Sequence, residues 1–274
     1  MKALTVVIPS RNGKHILEKY ITAILEETIR CGGELIVVDD CSTDGTAKFL
    51  LENHPSARVI ERTSEPGFCR AVNLGMEEAH GEYLLLLNND TIPEPGSFKL
   101  LLSELSRSDS EVAAAVPSIP RPDGSDDSLF KWIFRRGLAV TGQNLPGESY
   151  PSGACALWKR EAWKSLNGLD SRYAPIYWED TDLGVRMHKM GYTMIRCRKA
   201  VVRHMHAATM GALPETEALR ERNRFIFMDA HCSGFKQSLS TRLWLPVHLF
   251  TAFLRRDRAF TRGYAEYRKW GRKK

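Results

Sequence analysis

The sequence contains no pair of cysteines in the Cys-x-x-Cys spacing. It has six cysteines in 274 residues, and they are scattered along the chain. The missing spacing removes the usual sequence signal for a structural zinc site or a thioredoxin-like redox site. We therefore expect reduced thiols at all six positions, which are Cys31, Cys41, Cys69, Cys155, Cys197 and Cys232.

Long hydrophobic runs are also missing. The first residues hold only a short apolar stretch before Pro9, far below the core of a signal peptide. The longest apolar segment, 243–254, contains Pro246 and His248 and has 12 residues, whereas a membrane-crossing helix needs about 20. These absences predict a cytoplasmic protein whose segment 243–254 can lie on a membrane without crossing it.

A basic bias across the whole chain is absent as well. The formal net charge is +6, but residues 255–274 hold nine Lys or Arg against two acidic residues, so residues 1–254 carry only −1. A nearly neutral body argues against a nucleic-acid groove, and we expect no nucleic-acid partner. The basic tail indicates contact with phosphates, anionic lipid or an acidic partner, unless it serves only solubility.

The first 116 residues alternate strand and helix patterns, and the chain is apolar enough, at 43% hydrophobic residues, to bury a substantial core. This alternation indicates right-handed βαβ units and a largely parallel sheet, which is an α/β fold. Apolar runs predict strands over 4–8, 35–38, 59–60, 83–87 and 112–116, and helical spacing predicts helices over 16–29, 47–51 and 67–79.

The pattern loosens after residue 116. Residues 117–152 contain five prolines and four glycines, a composition that predicts a long substrate-facing loop with a hairpin or short helix inside it. Order then returns, with helices predicted over 160–166 and 179–190 and short strands over 193–197 and 200–202.

Four consecutive leucines end in two amides and a carboxylate, Asn88, Asn89 and Asp90. Such a run suits a strand buried on both faces of a parallel sheet, and ligands of such sheets bind beyond the carboxyl ends of the strands. Oxygen ligands at this point can hold a hard divalent cation that is shared with phosphates. The alternative is an Asx turn, in which Asn88 and Asp90 only cap backbone groups.

A second acidic cluster, Glu179, Asp180 and Asp182, follows Trp178 at the start of a predicted helix. The helix dipole favours acidic residues at this end, and Asp182 can pair with Arg186 one turn later. These effects explain Asp182 better than they explain three carboxylates within four residues. Their mutual repulsion raises the pKa of at least one of them, which suits a general base.

Two histidines, His204 and His206, are spaced i, i+2 directly after a predicted strand. A single histidine is more often a packed or surface residue than a metal ligand. This chain also carries an acidic loop at a strand end. In that setting, metal ligation by the two imidazoles is as good an interpretation as a packed or surface position.

These segments, in this order, resemble the inverting GT-A glycosyltransferases of glycosyltransferase family 2 over roughly residues 4–228. The resemblance implies a GT-A fold, with a Rossmann-like, mostly parallel central sheet flanked by helices. Each motif is weak alone, but the ordered set is specific: Val7-Ile8-Pro9-Ser10-Arg11-Asn12, Glu34 to Thr46, Gly67-Phe68 with Asn73 and Gly75, Gly81-Glu82-Tyr83 before Asn88-Asn89-Asp90, Gly153-Ala154, Gly168-Leu169-Asp170, Glu179-Asp180-Thr181-Asp182-Leu183 and Gly191-Tyr192.

The resemblance implies a binding site for a nucleotide-sugar donor. Asp40 would hydrogen-bond the base, with Asp39 as the less favoured candidate. Asp90 would hold Mg²⁺ or Mn²⁺ against the diphosphate, with His204 as the other protein ligand. The implied donor-binding set is Pro9, Ser10, Arg11, Asp39, Asp40, Asn73, Asn88, Asn89 and Asp90.

On the acceptor side, the resemblance implies that Asp180 is the catalytic base, with Trp178, Glu179 and Asp182 beside the acceptor. The base takes a proton from a hydroxyl that attacks the anomeric carbon opposite the leaving nucleoside diphosphate, so the configuration inverts. The chemistry needs both parts, because a departing diphosphate carries charge that a cation neutralises and an alcohol needs a nearby carboxylate. The expected acceptor is a glycan or a lipid-linked sugar in the synthesis of a cell-surface polysaccharide.

Two positions depart from the family pattern. Many members have a carboxylate where this chain has Asn88, which implies a weaker metal site that depends more on His204 and the phosphates. Arg11 stands where an aromatic residue is common, and its guanidinium can stack on the base or face solvent. The segments around Asn88, Trp178 and His204 are similar to the rhamnosyltransferase-like branch, which implies dTDP-rhamnose as the donor, with a UDP-sugar as the alternative.

Two other functions compete with sugar transfer. A catalytically silent nucleotide-sugar-binding module is compatible with Asn88, but the joint presence of Asp90, Asp180 and His204 argues against it. A sugar nucleotidyltransferase has similar needs for a sheet and a metal. Against it, the first strand is not followed by a glycine-rich phosphate loop with a basic residue, and residues 11–14 are at best a faint version.

The C-terminal region, 241–274, joins an apolar stretch to the basic tail, which carries Tyr264, Tyr267 and Trp270. This pattern is typical of an interfacial helix on an anionic membrane. The alternative is a helix packed on the catalytic domain or on the partner in a homodimer. We divide the chain into a catalytic domain, 1–232, with a nucleotide-binding half (about 1–116) and an acceptor half (about 117–232), and a basic helical extension, 233–274.

Overall fold

Strands and helices alternate through the first half of the chain, as the sequence predicts. The computed structural model describes residues 3–205 and 214–272. Strands β1 and β4 are apolar and almost wholly buried, as expected for strands with helices on both faces. The elements are β1 (Leu4–Ser10), α1 (Lys14–Arg30), β2 (Glu34–Asp40), α2 (Thr46–Asn53), β3 (Ala57–Arg62), α3 (Phe68–Glu78), β4 (Tyr83–Leu87), β5 (Thr91–Pro93), α4 (Ser97–Ser106) and β6 (Val112–Ser118).

The second half is more irregular. Segment 117–152, predicted as a long loop with a hairpin or short helix inside it, contains an antiparallel hairpin and a further short strand. The two strands predicted over 193–197 and 200–202 are instead one strand with a bulge, which corrects that prediction. The elements are β7 (Leu129–Arg135), β8 (Leu138–Gly142), β9 (Ser149–Pro151), β10 (Cys155–Lys159), α5 (Arg160–Ser165), α6 (Glu179–Lys189), β11 (Thr193–His204), α7 (Pro214–His231), α8 (Phe235–Leu254) and α9 (Arg258–Gly271).

Among the described residues, eight strands form one central sheet in the order β3-β2-β1-β4-β10-β6-β11-β5. Strands β3, β2, β1 and β4 are parallel, and β6 is parallel to β11, whereas β10 and β5 run antiparallel to their neighbours. A smaller antiparallel sheet has the order β8-β7-β9. The central sheet is therefore mixed but mostly parallel, as predicted.

Two apolar layers cover the central sheet. One contains the buried leucines and isoleucines of α1 and α4, and the other contains α3 together with aromatic residues such as Trp158 and Trp163. Helix α3 lies so close to the sheet that a Cβ at Gly75 would be 2.4 Å from the Val7 side chain. Only glycine permits this approach, which explains why the helix carries it.

The register of the strands decides where the chemistry collects. Ser10 at the end of β1 is paired with Asp39 at the end of β2, and β4 runs parallel to β1 on its other side. The polar residues that follow these three strands therefore share one edge of the sheet. The short strand β5 turns back after them and pairs with β11, so that Thr91 is opposite His204.

The tail is helical, and much of it packs on the rest of the protein. The rings of Tyr264 and Tyr267 on α9 lie 5.0 and 5.3 Å from the ring of Phe225 on α7. The hydroxyl of Tyr267 donates a hydrogen bond of 2.8 Å to Asp229. These two residues therefore pack against α7, which is the alternative to membrane contact that the sequence left open for the tail. No helix in the described ranges is long and apolar enough to cross a membrane.

Candidate active site

One cavity of about 600 Å³ opens at the carboxyl ends of β1, β2 and β4. It takes residues from both halves of the predicted catalytic domain. We call residues 9–12, Asp40 and 88–90 the strand edge, and Gly153 with residues 177–180 the α6 wall. The lining also includes Gly67, Phe68, Arg121, Asp127, Phe130, Ser152, Ala154, Pro175, Ile176, His204 and Arg220.

Hydrogen bonds between the loops hold the strand edge together. The side chain of Asn89 donates a hydrogen bond of 2.9 Å to the hydroxyl of Ser10, and this bond joins the loop after β4 to the end of β1. Asn12, in a left-handed conformation, accepts a hydrogen bond of 2.8 Å from the backbone of Thr43 after β2. Pro9, Ser10 and Arg11 line the cavity beside these contacts, as expected for a donor-binding loop.

The two aspartates at the end of β2 point to different places. Asp40 lines the cavity, is paired with Arg62 and accepts a hydrogen bond of 2.7 Å from the backbone of Gly67. Asp39 does not line the cavity, and burial raises the pKa of its carboxyl group above the ordinary value. Alternation of side chains along a strand separates the two, and it favours Asp40 for contact with a ligand.

Asp90 and His204 meet inside the cavity. The Nε2 atom of His204 is 3.1 Å from Oδ1 of Asp90, and both side chains are largely buried. Pairing of β5 with β11 brings these residues together across more than a hundred positions of sequence, and the backbone N–H of Met205 donates to the carbonyl of Asp90. The predicted partner of Asp90 is therefore in contact with it.

The donor set at Asp90 fits a cation that also binds a ligand. One carboxylate oxygen and one imidazole nitrogen are in place, and Asn88 and Asn89 add amide oxygens to the same lining. In the described part of the chain no three His, Cys, Asp or Glu side chains form a closed metal cage. An ion such as Mg²⁺ usually completes its shell with water and substrate phosphates, so this open set suits it. His206, the other candidate ligand, lies outside the described residues.

The α6 wall begins with strained backbone. Tyr177 and Trp178 both have positive φ angles, 82° and 76°, although neither is glycine. Such conformations persist only where the surroundings impose them, and they are frequent at functional sites. Here the surroundings include Asn223 of α7, whose buried amide donates to the backbone carbonyls of Tyr173, Ile176 and Tyr177 at 2.7, 2.9 and 2.9 Å.

Two neighbouring carboxylates face the cavity from the first turn of α6. Burial, followed by the charge of Asp180, raises the pKa of Glu179 to about 8. Burial also raises the pKa of Asp180, against hydrogen bonds from the backbone and hydroxyl of Thr181. The Oε2 atom of Glu179 is buried without a hydrogen-bond partner among the described residues. Both carboxyl groups therefore hold a proton more tightly than exposed carboxyl groups do, as expected for coupled neighbours that are buried together.

Asp182 is placed differently from the prediction. It lies behind the cavity and is 1% exposed. Its carboxylate accepts hydrogen bonds from Arg186 at 2.8 Å and from His231 at 2.7 Å. Burial opposes its charge, but the hydrogen bond from His231 and the charge and hydrogen bond of Arg186 hold the pKa of Asp182 below the ordinary value. The acceptor-side role predicted for Asp182 is thus replaced by a structural one, because α6 turns this side chain inward.

Asn73 also lies outside the cavity. Its side chain accepts from the backbone N–H of Leu169 at 2.8 Å and donates to the carbonyl of the same residue at 2.7 Å. It fixes the turn at Gly168 and Leu169 against α3. The prediction that Asn73 binds the nucleotide was wrong in this respect, since its polar atoms are committed to that turn.

The structure adds polar residues that the sequence did not single out. Arg121 donates a hydrogen bond of 2.5 Å to Asp127. Both residues belong to the segment predicted as a loop, and both line the cavity. Arg220 of α7 lies 4.8 Å above the ring of Tyr177, a cation–π contact. No spacing rule finds these residues, because each belongs to a different element and only the fold brings them to one wall.

A family model described as glycosyl transferase family 2 matches residues 5–166, which is more than half of the chain. This chain belongs to glycosyl transferase family 2. The matched region contains every residue of the strand edge. It does not contain His204, the partner of Asp90. The predicted membership is confirmed.

Relatives of this family 2 chain include a rhamnosyltransferase and an O-antigen biosynthesis protein. The N-acetylglucosaminyl-diphospho-decaprenol L-rhamnosyltransferase of Mycobacterium tuberculosis is 29% identical over 293 residues, covering 92% of this chain and 94% of the relative. The O-antigen biosynthesis protein RfbC of Myxococcus xanthus is 24% identical over 78% of this chain, and the match covers 18% of that longer protein.

Solved structures confirm the GT-A fold of this family 2 chain. The mannosyltransferase PcManGT from Pyrobaculum calidifontis, in complex with GDP-Man and Mn²⁺, has a TM-score of 0.61 at 22% identity and matches 96% of this chain and 73% of its own. GalNAc-T7, with UDP, GalNAc and Mn²⁺, has a TM-score of 0.64 at 17% identity and matches 81% of this chain and 47% of its own.

Proposed function

We propose that this chain is a metal-dependent, inverting glycosyltransferase with Asp180 as its catalytic base. It moves a sugar from a dTDP- or UDP-linked donor, with dTDP-rhamnose as the first choice, to a hydroxyl of a lipid-linked glycan. The observation that carries the proposal is that one cavity joins Asp40, the Asp90–His204 pair and the Glu179–Asp180 pair. A module that only binds a nucleotide sugar would not need the Glu179–Asp180 pair.

The strand edge binds the nucleotide end of the donor. The carboxylate of Asp40 is held by Arg62 and Gly67 in the lining of the cavity, where it can accept a hydrogen bond from the N–H of a uracil or thymine base. Asp90 and His204 hold Mg²⁺ or Mn²⁺, which would neutralise the charge on the departing diphosphate. The Mn²⁺ ions bound to two neighbours of the same fold support this choice of cofactor.

The α6 wall receives the acceptor. Asp180 takes the proton from the attacking hydroxyl, because its raised pKa makes it a stronger base than an exposed aspartate. Glu179, neutral near pH 7, can donate a hydrogen bond to the same acceptor or to the sugar. Attack from this wall, opposite a diphosphate held at the strand edge, inverts the configuration of the anomeric carbon.

The acceptor class is supported by the Mycobacterium tuberculosis relative, whose name specifies a decaprenol-linked N-acetylglucosaminyl diphosphate and L-rhamnose. We propose the same class of acceptor here, a sugar carried on a polyprenyl diphosphate. Such an acceptor places the enzyme at the inner face of the cytoplasmic membrane. A homodimer is compatible with this arrangement but is not needed for the site, which is built within one chain.

A donor screen that measures release of nucleoside diphosphate tests the proposal. Purified protein is given dTDP-rhamnose or individual UDP-sugars, Mn²⁺, and a short-chain polyprenyl-diphospho-N-acetylglucosamine. We expect acceptor-dependent release with one nucleotide class, and an inverted linkage in the product by NMR. Donor binding without release under every combination would support the silent module instead, and release of inorganic diphosphate from a nucleoside triphosphate in the presence of a sugar 1-phosphate would support a nucleotidyltransferase.

A further inference from the structure

Helix α8 is attached to the protein by one of its faces. Ala252 is buried, and Leu245 and Leu249 pack against the apolar core. The hydroxyl of Thr241 donates 3.0 Å to the carbonyl of Gly137 in the turn between β7 and β8. These contacts attach the helix to the rest of the protein.

The opposite face of α8 is also apolar, and it is exposed. Phe235, Leu243, Phe250, Phe253 and Leu254 are 83, 65, 63, 74 and 64% exposed, and Leu239 and Val247 lie between them on the same side. Their spacing places all seven on about a third of the helix circumference. We call these seven residues the α8 stripe. Scattered exposed leucines are ordinary, but a continuous stripe of this size is typical of an interaction surface.

The charged residues of α8 and of the segment that follows it are mostly basic. The 20 residues of α8 include no aspartate or glutamate, and Lys236 and Arg242 on the helix are exposed. Exposed Arg255, Arg256 and Arg258 follow its C-terminus. The only acidic residue among them, Asp257, accepts a hydrogen bond from the backbone of Phe260 and caps α9. The surroundings of the stripe therefore favour an anionic partner.

We propose that the α8 stripe docks on an anionic lipid bilayer, with the helix lying in the interface and the flanking arginines against lipid phosphates. A helix with an apolar face and basic flanks binds such surfaces through both effects together. A second copy of this chain fits less well. A symmetric contact would bring the basic residues of both copies to one interface, with no acidic residue of α8 to offset them. The surface is separate from the catalytic cavity, so this proposal does not depend on the proposed transfer reaction.

Vesicle flotation tests the proposal with the full chain. Wild-type protein is expected to float with vesicles of phosphatidylcholine mixed with phosphatidylglycerol and to bind vesicles of phosphatidylcholine alone far less. The double variant Phe250→Ser, Phe253→Ser should bind the anionic vesicles at least about tenfold more weakly. Both side chains are exposed, so circular dichroism should show an unchanged fold. The variant Arg255→Gln, Arg256→Gln should lose the preference for anionic lipid.

A matched control carries the same change elsewhere on the surface. Ile29→Ser, Leu51→Ser removes two side chains that are 58 and 56% exposed on α1 and α2, and vesicle binding should stay at the wild-type level. Equal flotation of wild type and the Phe250, Phe253 variant would overturn the proposal. So would a wild-type dimer in analytical ultracentrifugation that dissociates in that variant, because a second copy would then occupy the stripe.

Discussion

The strand edge and the α6 wall face each other across one cavity, but they are positioned by different forces. At the strand edge, each functional residue ends or closely follows a buried strand, and the register of β1, β2 and β4 aligns them. At the α6 wall, Glu179 and Asp180 follow two residues with positive φ, held by an asparagine from α7. The first kind of site is a property of local sequence, whereas the second depends on distant packing.

This difference predicts distinct failures when each side is changed. At the strand edge, substitutions should affect binding and leave the fold intact. At the α6 wall, a supporting residue should matter nearly as much as the base, because strain must be maintained by its surroundings. Five variants and one control test this contrast.

The largest effect is expected for Asp180→Asn. The amide cannot accept the acceptor proton, so kcat should fall by about 10³-fold, while donor affinity stays unchanged. Stopped-time assays of nucleoside diphosphate release and isothermal titration with donor measure the two quantities. Asp182→Asn is the matched control, since this neighbour lies behind the cavity and should affect stability more than turnover. Wild-type turnover in Asp180→Asn would show that another group is the base.

At the strand edge, Asp90→Ala should abolish the Mn²⁺ dependence of donor binding, and removal of metal with EDTA should have the same effect on the wild type. Asn88→Asp, which adds a second carboxylate, should tighten Mn²⁺ binding by about tenfold because ligand charge sets affinity. Titration of donor at several Mn²⁺ concentrations gives both results. If Asn88→Asp leaves the Mn²⁺ affinity unchanged, this side chain is not directed at the metal.

The support of the α6 wall is tested by Asn223→Ala. Three backbone carbonyls lose their donor in a buried place, and the free energy of unfolding should fall by about 3 kcal/mol. Because the same carbonyls hold the strained residues before Glu179, kcat should fall while donor affinity at the strand edge remains. Urea denaturation and steady-state kinetics measure these changes. A loss of stability with wild-type kcat would mean that the strain plays no part in placing the carboxylates.

The smallest effect at neutral pH is expected for Glu179→Gln, which imitates the protonated acid. In the wild type, ionisation of Glu179 near pH 8 adds a second charge beside Asp180, so activity should decline above that pH. The variant should keep its activity near pH 7 and lose this alkaline decline. A pH profile of kcat that is identical in the two proteins would show that Glu179 does not titrate near the reacting atoms.

The same group affects stability in a predictable direction. Folding raises the pKa of Glu179 from its ordinary value of 4.5 to about 8. The stabilisation that comes from protonated Glu179 is therefore complete below pH 4.5 and is lost as the pH rises toward 8. The melting temperature of the wild type should therefore fall, relative to Glu179→Gln, across this range. Thermal melts in matched buffers measure the difference.

The predictions from sequence succeeded where local pattern and fold agree. The apolar runs at 83–87 and 112–116 are strands, and the residues that end β1, β2 and β4 do line one cavity. They failed where a side chain was assigned from its neighbours in sequence. Asp182 and Asn73 sit within motifs of the family, yet the faces of α6 and α3 that carry them turn toward the protein interior.

In the C-terminal tail, too, the sequence pattern did not show which residues pack inside the protein. Its aromatic and basic residues form one amphipathic pattern in the sequence, but Tyr264 and Tyr267 pack on Phe225, and the exposed apolar surface belongs to α8 instead. Composition identified a region that is both apolar and basic. Only packing against α7 decided which of its faces remains available.

The sequence by itself determined the family, the mostly parallel sheet and the strand-end position of Asp40 and Asp90, because strand burial and the residues that end a strand are local properties of the chain. The tertiary structure decided which of Glu179, Asp180 and Asp182 faces the cavity, and it joined Asp90 to His204 and Asn223 to the loop before α6. These pairings connect residues far apart in the chain, and their geometry follows from the packing of whole helices and strands rather than from any spacing.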